Sequence, residues 1–570
     1  MYKIYNCGEL RINDNNKKVI LYGWIDSIRE MKNKIFIDLR DFYGITQLII
    51  NKINLKFNIK NEYVVKTYGK VILRKNINYN IKTGNIEILV KKIKILNKSK
   101  NLPFNFKKKI KINKYKIFKY RYLYLRNNEF KNNLIKKSEI INIIRLYFIK
   151  KKFLEIETPF LVKSTSEGAR NFIIPSRKKI GYFYSLPQSP QTFKQLLMIG
   201  GISKYYQIVK CFRDEDLRKD RQTEFLQLDI EISFLNIKKI LFIISKFIKF
   251  LFYKIKKIKL LNIKILSYKK ILKNYNNDKP DLRKQIFKLN LKNKYFKKKN
   301  NIYLNLILPN FLNINNLINI KKNIYFILKK YIKYKYIYIY NFKNNIKNKK
   351  IFKNNNIINK IIKKNFFTKY DILLILKIKN KNYIKNIIYI LNNFLLKSKY
   401  SKIIDIPYFI YKYPLFKYNI KKKKIESYHH PFTKPYNKNF NKLNINNINK
   451  YLSYSYDLII NGKEIGSGSI RIKNKNMQIK IFKLLGLSKK KIKEKFGYFL
   501  KALEYGTPPH GGIGIGIDRL ILILLNKKDI KEIIAFPKNF INKDLMIGSP
   551  SKINYKKLLK LGIKIIKNNK

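Results

Sequence analysis

"CFRDEDLRKDRQTEF", residues 211–225, is polar almost without a break and joins two apolar runs. Residues 205–209 ("YYQIV") precede it and residues 225–234 ("FLQLDIEISF") follow it, and both runs have the composition of β-strands. A solvated helix face would instead repeat its charges every three or four residues beside an apolar stripe. The stretch therefore predicts two antiparallel strands joined by a charged loop that can present arginines to an anion.

Two further segments have a definite pattern. Residues 511–525 ("GGIGIGIDRLILILL") alternate glycine with isoleucine and then become strongly apolar, which predicts a strand running into a buried helix. Alternating glycines leave one strand face bare, so a flat ring such as adenine can lie against it, with Arg519 near its phosphates. Residues 137–153 have helical spacing and lead into "FLEIETPFL" (153–161), which we expect to be a strand that ends at Pro159.

The rest of the chain is unevenly informative. Residues 1–100 contain five or so short alternating runs, such as "KVILYGWI" and "KIFIDLRD", which suit a small barrel of the OB-fold type. Residues 237–424 are dominated by Ile, Lys, Asn and Tyr, and their periodicity does not separate helix from strand. All three histidines, His429, His430 and His510, lie outside that middle region, and none has the helical spacing of a metal site.

Composition restricts the function classes. The chain has 127 Lys and Arg against 33 Asp and Glu, a net charge of +94 that suits a nucleic-acid partner. The accompanying excess of Ile, Asn, Tyr and Phe indicates A/T-rich coding, which accounts for most of the charge without selection for function. Two cysteines exclude a disulfide framework and a cysteine-built zinc site. Lysines interrupt every apolar run short of a membrane span, so we expect a soluble, cytoplasmic protein.

The three patterned segments resemble motifs 1, 2 and 3 of the class II aminoacyl-tRNA synthetases. Further segments extend the similarity over nearly the whole chain outside its middle, and the complete set resembles the aspartyl-tRNA synthetases of the bacterial type. These segments are "TSEGARNFIIPSR" (165–177), "FYSLPQSPQTFKQLLM" (183–198), "NNDKPDLR" (276–283), "HHPFT" (429–433) and "YDLIINGKEIGSGSIRI" (456–472).

The resemblance implies an α+β fold: an N-terminal OB-fold β-barrel and a class II antiparallel-sheet catalytic domain with an inserted α/β domain. It implies a homodimer that makes aspartyl-adenylate from ATP and L-aspartate and then charges tRNA(Asp). The expected divisions are an anticodon-binding domain (1–100), a hinge (101–130), a first catalytic part (131–283), a degraded insertion (284–405) and a second catalytic part (406–570).

The resemblance also assigns site residues. Arg213 suits the α-phosphate together with the attacking carboxylate, Arg519 suits the γ-phosphate, and Glu464 with Asp457 would hold Mg²⁺. For Asp457 alone, a solvated surface position is an equal alternative. The implied aspartate-binding residues are Glu167, Ser189, Gln191, Lys194, Arg213, Asp229, His429 and Arg471. The implied ATP-binding residues are Arg213, Asp214, Glu215, Gln222, Glu464, Gly516, Ile517, Asp518 and Arg519.

In the first domain, bases of a single strand are expected to stack on an aromatic side chain beside hydrogen-bonding groups. Phe36 should lie opposite the barrel core, because its neighbours Ile35 and Ile37 point the other way. The residues that the resemblance implies for the anticodon are Arg29, Phe36, Gln47 and Asn78.

Three departures from the family pattern are expected to loosen local geometry: Asn171 and Tyr124, where Asp is usual, and Ser467, where Gly is common. Alternative functions are the related asparaginyl- and lysyl-tRNA synthetases, and a noncatalytic tRNA-binding relic of a synthetase. Retention of Arg213, Glu464, Arg471 and Arg519 in an otherwise drifting chain argues against the relic. Whether tRNA(Asn) is also charged is left open by the sequence.

Overall fold

The coordinates are those of a computed structural model, and the chain forms two compact units, Met1–Ile112 and Asn113–Lys570. The model describes the 570 residues except 55–56, 106–111, 165–169, 218, 261, 276, 284–286, 290–301, 309–316, 333–336, 342–371, 379–382, 384–385, 388–389, 392–404, 420–423, 437–450 and 567–570.

The first unit is a closed sheet of six strands. They are β1 (Lys3–Tyr5), β2 (Lys18–Met31), β3 (Lys34–Arg40), β4 (Ile45–Asn51), β5 (Val64–Leu73) and β6 (Ile86–Asn97). The order is β1-β2-β3-β4-β6-β5, and pairing of β2 with β5 closes the barrel. Alternate residues such as Val19, Leu21, Ile35 and Ile37 fill its interior, which confirms the predicted OB-fold.

An eight-stranded sheet organises the second unit. All the described strands of this unit, in chain order and including those of smaller sheets, are β7 (Leu154–Glu155), β8 (Ile173–Pro175), β9 (Phe183–Ser185), β10 (Lys204–Phe212), β11 (Glu224–Ser233), β12 (Lys264–Ser267), β13 (Phe287–Leu289), β14 (Ile302–Leu308), β15 (Ile337–Asn341), β16 (Ile372–Ile378), β17 (Pro407–Tyr411), β18 (Phe416–Asn419), β19 (Lys424–Ser427), β20 (Ser455–Ile460), β21 (Lys463–Ile470) and β22 (His510–Gly516). The large sheet has the order β12-β17-β20-β21-β22-β11-β10-β7 and is antiparallel except at its two edge pairs.

Helices cover this sheet. They are α1 (Lys114–Lys119), α2 (Arg121–Tyr124), α3 (Asn128–Lys150), α4 (Gln191–Ile199), α5 (Ile237–Lys256), α6 (Tyr268–Tyr275), α7 (Leu317–Leu328), α8 (Lys475–Leu484), α9 (Lys489–Ala502), α10 (Ile517–Leu524) and α11 (Tyr555–Lys560). Helix α5 buries Ile240, Ile244, Phe247 and Leu251 at helical spacing, and α3 buries Ile140, Ile144 and Phe148 in the same core. Within the described residues, no helix combines the length and the apolar character needed to cross a lipid bilayer.

The middle of the chain contributes a smaller sheet of its own. Strands β13, β14, β16 and β15 are antiparallel in that order, and buried side chains of β14, β16 and α7 form a separate core. That core includes Leu304, Leu306, Leu328 and Leu376. The described parts of the region that the sequence left ambiguous therefore retain a hydrophobic centre.

The segment before α3 is attached to the far end of the chain. Arg121 is buried, and its guanidinium donates to the backbone carbonyls of Lys531 at 2.7 Å, Ile534 at 2.8 Å and Ala535 at 2.8 Å. Burial lowers the pKa of Arg121 to about 10. The expected hinge at 101–130 and the other domain limits stay predictions.

The two best-patterned segments form the predicted elements. Strands β10 and β11 are antiparallel neighbours joined by the charged loop 213–223, and β22 runs directly into α10. Only Leu154 and Glu155 of the expected strand before Pro159 pair with β10, and they do so in parallel.

Candidate active site

A cavity of about 420 Å³ opens over β11, β21 and β22, beside the loop 213–223. Most of the side chains expected to bind aspartate, ATP or Mg²⁺ border it. They are Ser189, Gln191, Lys194, Arg213, Glu215, Gln222, Asp229, His429, Asp457, Glu464, Arg471, Gly516, Asp518 and Arg519.

Three of the expected residues are placed or engaged differently. Asp214 does not line this cavity and faces Arg170 at 3.7 Å, while Ile517 is fully buried in the hydrophobic core. Glu167 lies outside the described residues. Asp518 borders the cavity, but its two oxygens are engaged by Lys137 Nζ at 2.6 Å and by the backbone N–H of Leu226 at 2.9 Å. Asp518 therefore holds α3 to β11.

Four buried charges lie at the floor of the cavity, which Lys194, Asp229 and Arg471 line while Glu231 lies behind them. Lys194 Nζ lies 2.9 Å from Asp229 and 3.3 Å from Glu231, and Arg471 donates to both oxygens of Glu231 at 2.8 and 3.1 Å. All four side chains are at most 2% exposed. Two cations and two carboxylates compensate one another, and Glu231 holds both cations in fixed positions.

Electrostatics favour the charged forms of Glu231 and Arg471 despite their burial. Burial alone would raise the pKa of Glu231, but Arg471 and Lys194 together hold it below its ordinary value. Burial would lower the pKa of Arg471, yet Glu231 raises it overall. Burial and the adjacent Arg471 lower the pKa of His430 far below its usual range, so this imidazole is neutral and contacts the guanidinium through Nε2.

Three buried polar atoms that border the cavity have no hydrogen-bond partner within the described part of the chain. They are Gln191 Nε2, Gln222 Nε2 and His429 Nδ1. Buried donors and acceptors are normally paired, because an unpaired one costs about 1–3 kcal/mol. Their presence around one cavity indicates a polar ligand that supplies the missing partners.

Two arginines occupy the other side of the cavity. Arg213 lies over the ring of Phe225 at 5.1 Å, and no carboxylate among the described residues pairs with its guanidinium. Arg519 donates to the Glu464 carbonyl at 3.1 Å and lies 3.4 Å from Asp220 Oδ2. Burial lowers the pKa of Arg519, because it disfavours the charged form of the guanidinium. A further anion beside the guanidinium would stabilise that charge.

The loop that carries Arg213 is fixed by a segment remote in sequence. The backbone N–H of Ile530 donates to the Lys219 carbonyl at 3.0 Å, and that of Lys538 donates to Gln222 Oε1 at 3.0 Å. The second bond occupies the oxygen of Gln222, whose buried amide nitrogen has no partner among the described residues. The C-terminal segment therefore orients a group expected to contact ATP.

A pair of carboxylates, Asp457 and Glu464, lies on the hairpin β20–β21. Asp457 accepts from His429 Nε2 at 2.9 Å, and the Lys279 ammonium contacts Glu464. Burial would raise the pKa of Asp457, but His429, Lys279 and Ser467 lower it overall. Mg²⁺ commonly takes one or two carboxylates and completes its shell with phosphates and water, so this pair fits the ion. Among the described residues, no group of three or more His, Cys, Asp or Glu could hold a metal.

The glycines of β22 differ in what they accommodate. A Cβ at Gly512 would overlap the Ile230 carbonyl oxygen and the Glu231 carboxylate, so this bare position is filled by the protein itself. Only Gly514 and Gly516, at the end of the strand, border the cavity. The surface expected to receive a flat ring is thus shorter than the glycine pattern indicates.

Each of the three residues that depart from the family pattern makes a local contact in the structure. Asn171 accepts from Gln188 and donates to Ser164 at 3.0 Å, and Ser467 hydrogen-bonds to Asp457. The Tyr124 ring packs near Arg121, with 5.2 Å from the guanidinium carbon to the ring centre. These side chains are therefore part of the packing around the site and its attachments.

In the first unit, Arg29, Phe36 and Gln47 lie on the face opposite the barrel core, where Gln47 is only 3% exposed. Arg29 donates to Gln47 at 3.1 Å, and Gln47 donates to Glu87 at 2.8 Å. Phe36 pairs with Arg29 across β2 and β3 and is partly exposed, whereas its neighbours in the strand are buried. Asn78, on the loop between β5 and β6, is outside this hydrogen-bonded set.

Sequence reasoning missed several residues that line the cavity or lie directly behind its lining. Glu231 was detectable, because Gln227, Asp229 and Glu231 alternate in "FLQLDIEISF" and so share one face of β11. Lys279 lies within the motif "NNDKPDLR", but nothing local indicates that it reaches Glu464. His430 is distinguishable from His429 only through its contact with Arg471.

Comparison with known proteins identifies the family and the fold. The profile of the family described as "tRNA synthetases class II (D, K and N)" matches residues 113–540, and that described as "OB-fold nucleic acid binding domain" matches residues 19–96. The Entamoeba histolytica asparaginyl-tRNA synthetase has a similar fold, with a TM-score of 0.59, 19% identity and coverage of 95% of this chain and 99% of that one.

Full-length relatives are more similar in sequence. The aspartate–tRNA ligase of Buchnera aphidicola from Schizaphis graminum is 42% identical over 98% of this chain and 99% of its own length. That of Mycoplasma mycoides is 39% identical over 100% of both chains. The aspartate–tRNA(Asp/Asn) ligase of Dictyoglomus turgidum is 38% identical over 99% of this chain and 98% of its own. The chain therefore belongs to the aspartate–tRNA ligases, within the class II tRNA synthetases.

Proposed function

We propose that this chain activates L-aspartate with ATP and transfers it to the 3′ end of tRNA(Asp). The observation that carries the proposal is a single cavity with two buried cations at its floor and two arginines on its other side. Such a cavity suits a reaction between two anions, a substrate carboxylate and a nucleotide phosphate, because positive groups must neutralise both and hold them in line.

At the floor, Lys194 and Arg471 bind the β-carboxylate of aspartate. Asp229 and the side-chain amide of Gln191, whose nitrogen is unpaired, lie around the α-amino and α-carboxylate groups of the substrate aspartate. Glu167 and Ser189 complete the pocket. His429 contributes its unpaired Nδ1 above the substrate. Asparagine is rejected because the NH2 group of its amide would face the N–H donors of Lys194 and Arg471, which need an acceptor such as a carboxylate oxygen.

On the nucleotide side, Arg213 contacts the α-phosphate and the attacking carboxylate together. The carboxylate oxygen bonds to the α-phosphorus, and the bond to pyrophosphate breaks. Arg519 binds the γ-phosphate, and Glu215, Gln222, Gly516 and the backbone around Ile517 and Asp518 shape the ATP site, with Asp214 at its margin. Mg²⁺ bound with ATP would neutralise phosphate charge, and Asp457 and Glu464 would hold it.

For the tRNA, we infer that Phe36 stacks on an anticodon base while Arg29 and Gln47 donate or accept hydrogen bonds, with Asn78 adding a contact from its loop. The hydrogen-bonded set on this outer face supports the assignment. The similar Dictyoglomus turgidum protein carries an Asp/Asn name, so tRNA(Asn) is a second candidate acceptor. We further propose a cytoplasmic homodimer with the domain divisions given above.

The test is ATP/pyrophosphate exchange with aspartate, asparagine and lysine, followed by charging of purified tRNA(Asp) and tRNA(Asn). We expect exchange with aspartate alone and charging of tRNA(Asp). A folded protein without exchange for any of the three amino acids would refute catalysis and favour a noncatalytic tRNA-binding role. Exchange with asparagine or lysine instead would identify a related synthetase.

A further inference from the structure

Lys279 reaches the cavity from outside the three family motifs. Its ammonium contacts Glu464 Oε2, and its side chain is 31% exposed, against 34% for Glu464. Asp457, the second carboxylate of the hairpin, borders the same cavity and also acts electrostatically on Lys279. A single positive charge thus lies beside both acids expected to hold a divalent cation.

The backbone around Lys279 is firmly attached, whereas its side chain is a long and flexible arm. The Tyr408 hydroxyl donates to the Pro280 carbonyl at 2.6 Å, and Arg283 pairs with Asp281 at 2.5 Å. A lysine carries its charge on a four-carbon stem with rotatable bonds. The ammonium can therefore leave Glu464 without movement of the segment that carries it.

We propose that Lys279 is an internal counter-ion, a positioning residue that occupies the cation position beside Glu464 and Asp457 until a divalent cation arrives with ATP. The proposal rests on the proposed function. Two carboxylates on one hairpin repel each other, and the ammonium offsets that repulsion in the absence of nucleotide. A divalent cation that enters alone must displace the Lys279 ammonium from Glu464. A cation that enters bound to ATP brings phosphates with which the displaced ammonium can pair.

The consequence is that the free protein binds divalent cations weakly and gains affinity only with nucleotide. Removing the ammonium charge should raise the affinity for a free divalent cation. A unit charge near 4 Å repels a doubly charged ion enough, even in bulk water, to change binding by about tenfold or more. Arginine at the same position keeps the charge and should keep the affinity low.

The test is Mn²⁺ binding to the full-length protein without ATP, aspartate or tRNA, measured by electron paramagnetic resonance. We expect Lys279→Gln to bind Mn²⁺ about tenfold more tightly than the parent, and Lys279→Arg to stay within about twofold of it. The matched control is Lys475→Gln, which removes a lysine at the start of α8 that pairs with Glu504, in the turn after α9, at 2.5 Å, and it should leave binding unchanged. Glu464→Gln should weaken Mn²⁺ binding both in the parent protein and in Lys279→Gln.

Unchanged Mn²⁺ affinity in folded Lys279→Gln would overturn the proposal, and so would an equal gain in Lys475→Gln. Circular dichroism establishes folding, and Lys279→Met provides a second neutral variant that keeps most of the stem. Aspartate-dependent exchange by the parent is measured on the same preparation. Its absence would refute the proposed function, whereas the Mn²⁺ affinities alone decide the role of Lys279.

Discussion

Lys194→Met is the most informative change at the floor of the cavity. Methionine has a similar length and no charge, so Asp229 and Glu231 would remain buried with Arg471 as the nearby cation. In the parent, Lys194 lies within 3.3 Å of both carboxylates and is 2% exposed. The substitution therefore leaves excess negative charge where the substrate β-carboxylate is proposed to bind.

The expected magnitudes follow from burial. Removing one member of a buried ion pair costs about 3–5 kcal/mol of folding stability. Loss of a charged hydrogen-bond donor to aspartate costs about 1.5–3 kcal/mol, which is about 10- to 150-fold in the KM for aspartate. The KM for ATP should change little, because Lys194 is proposed to contact only the amino acid.

The stability loss has a definite pH dependence. Since Arg471 and Lys194 lower the pKa of Glu231, their stabilising effect is present above the ordinary glutamate pKa of about 4.3 and disappears as the pH falls through the lowered value. Without Lys194, the pKa of Glu231 should rise. The difference in stability between parent and variant should thus be largest near neutral pH and narrow in acid.

The assay is aspartate-dependent ATP/pyrophosphate exchange, with KM measured for aspartate and for ATP, beside thermal melts from pH 7 to pH 4. Lys475→Met removes an exposed lysine paired with Glu504 and should resemble the parent in both measurements. A folded Lys194→Met protein whose KM for aspartate is within threefold of the parent would refute the reasoning. An equal rise in both KM values would do so too.

Three further outcomes are expected. Arg213→Ala should lose about 2.7 kcal/mol or more of transition-state stabilisation, seen as a roughly 100-fold fall in kcat/KM for exchange; an unchanged value would exclude its contact with the reacting groups. Phe36→Ala should weaken tRNA binding by about 1–3 kcal/mol in filter-binding assays and leave exchange intact, whereas unaltered tRNA affinity would argue that no base stacks there. Arg121→Gln should lower stability by about 1–3 kcal/mol in thermal melts by leaving buried carbonyls unpaired, and a melting curve like the parent's would contradict this.

Local sequence patterns predicted the strands and the helix whose formation depends mainly on neighbouring residues. The strands on either side of "CFRDEDLRKDRQTEF" and the strand-to-helix transition at β22 follow from polarity and glycine spacing. The length of β7 does not follow in this way, because pairing with β10 rather than composition limits it to Leu154 and Glu155. The middle region also resisted prediction, since Ile and Tyr suit a strand while Lys and Asn interrupt every periodic pattern.

Much of the candidate site was predictable because family motifs carry it, but its internal pairing was not. Glu231, which fixes Lys194 and Arg471, is visible in the sequence only as one of three alternating polar residues. The contact of Lys279 with Glu464 joins positions that are 185 residues apart in the sequence. Asp518 illustrates the reverse case, since a residue inside a strong motif has both oxygens engaged within the protein.

Gly512 relates the packing of the site to the codon that encodes this position. Glycine codons begin with a pair of guanines, so mutation toward A and T at either of them introduces a residue with a Cβ, or a stop. At Gly512 any Cβ would overlap the Ile230 carbonyl and the carboxylate of Glu231, which orders the floor of the cavity. A mutation of this codon toward A or T would therefore displace the carboxylate that fixes Lys194 and Arg471, so the glycine cannot be lost without disturbing the floor.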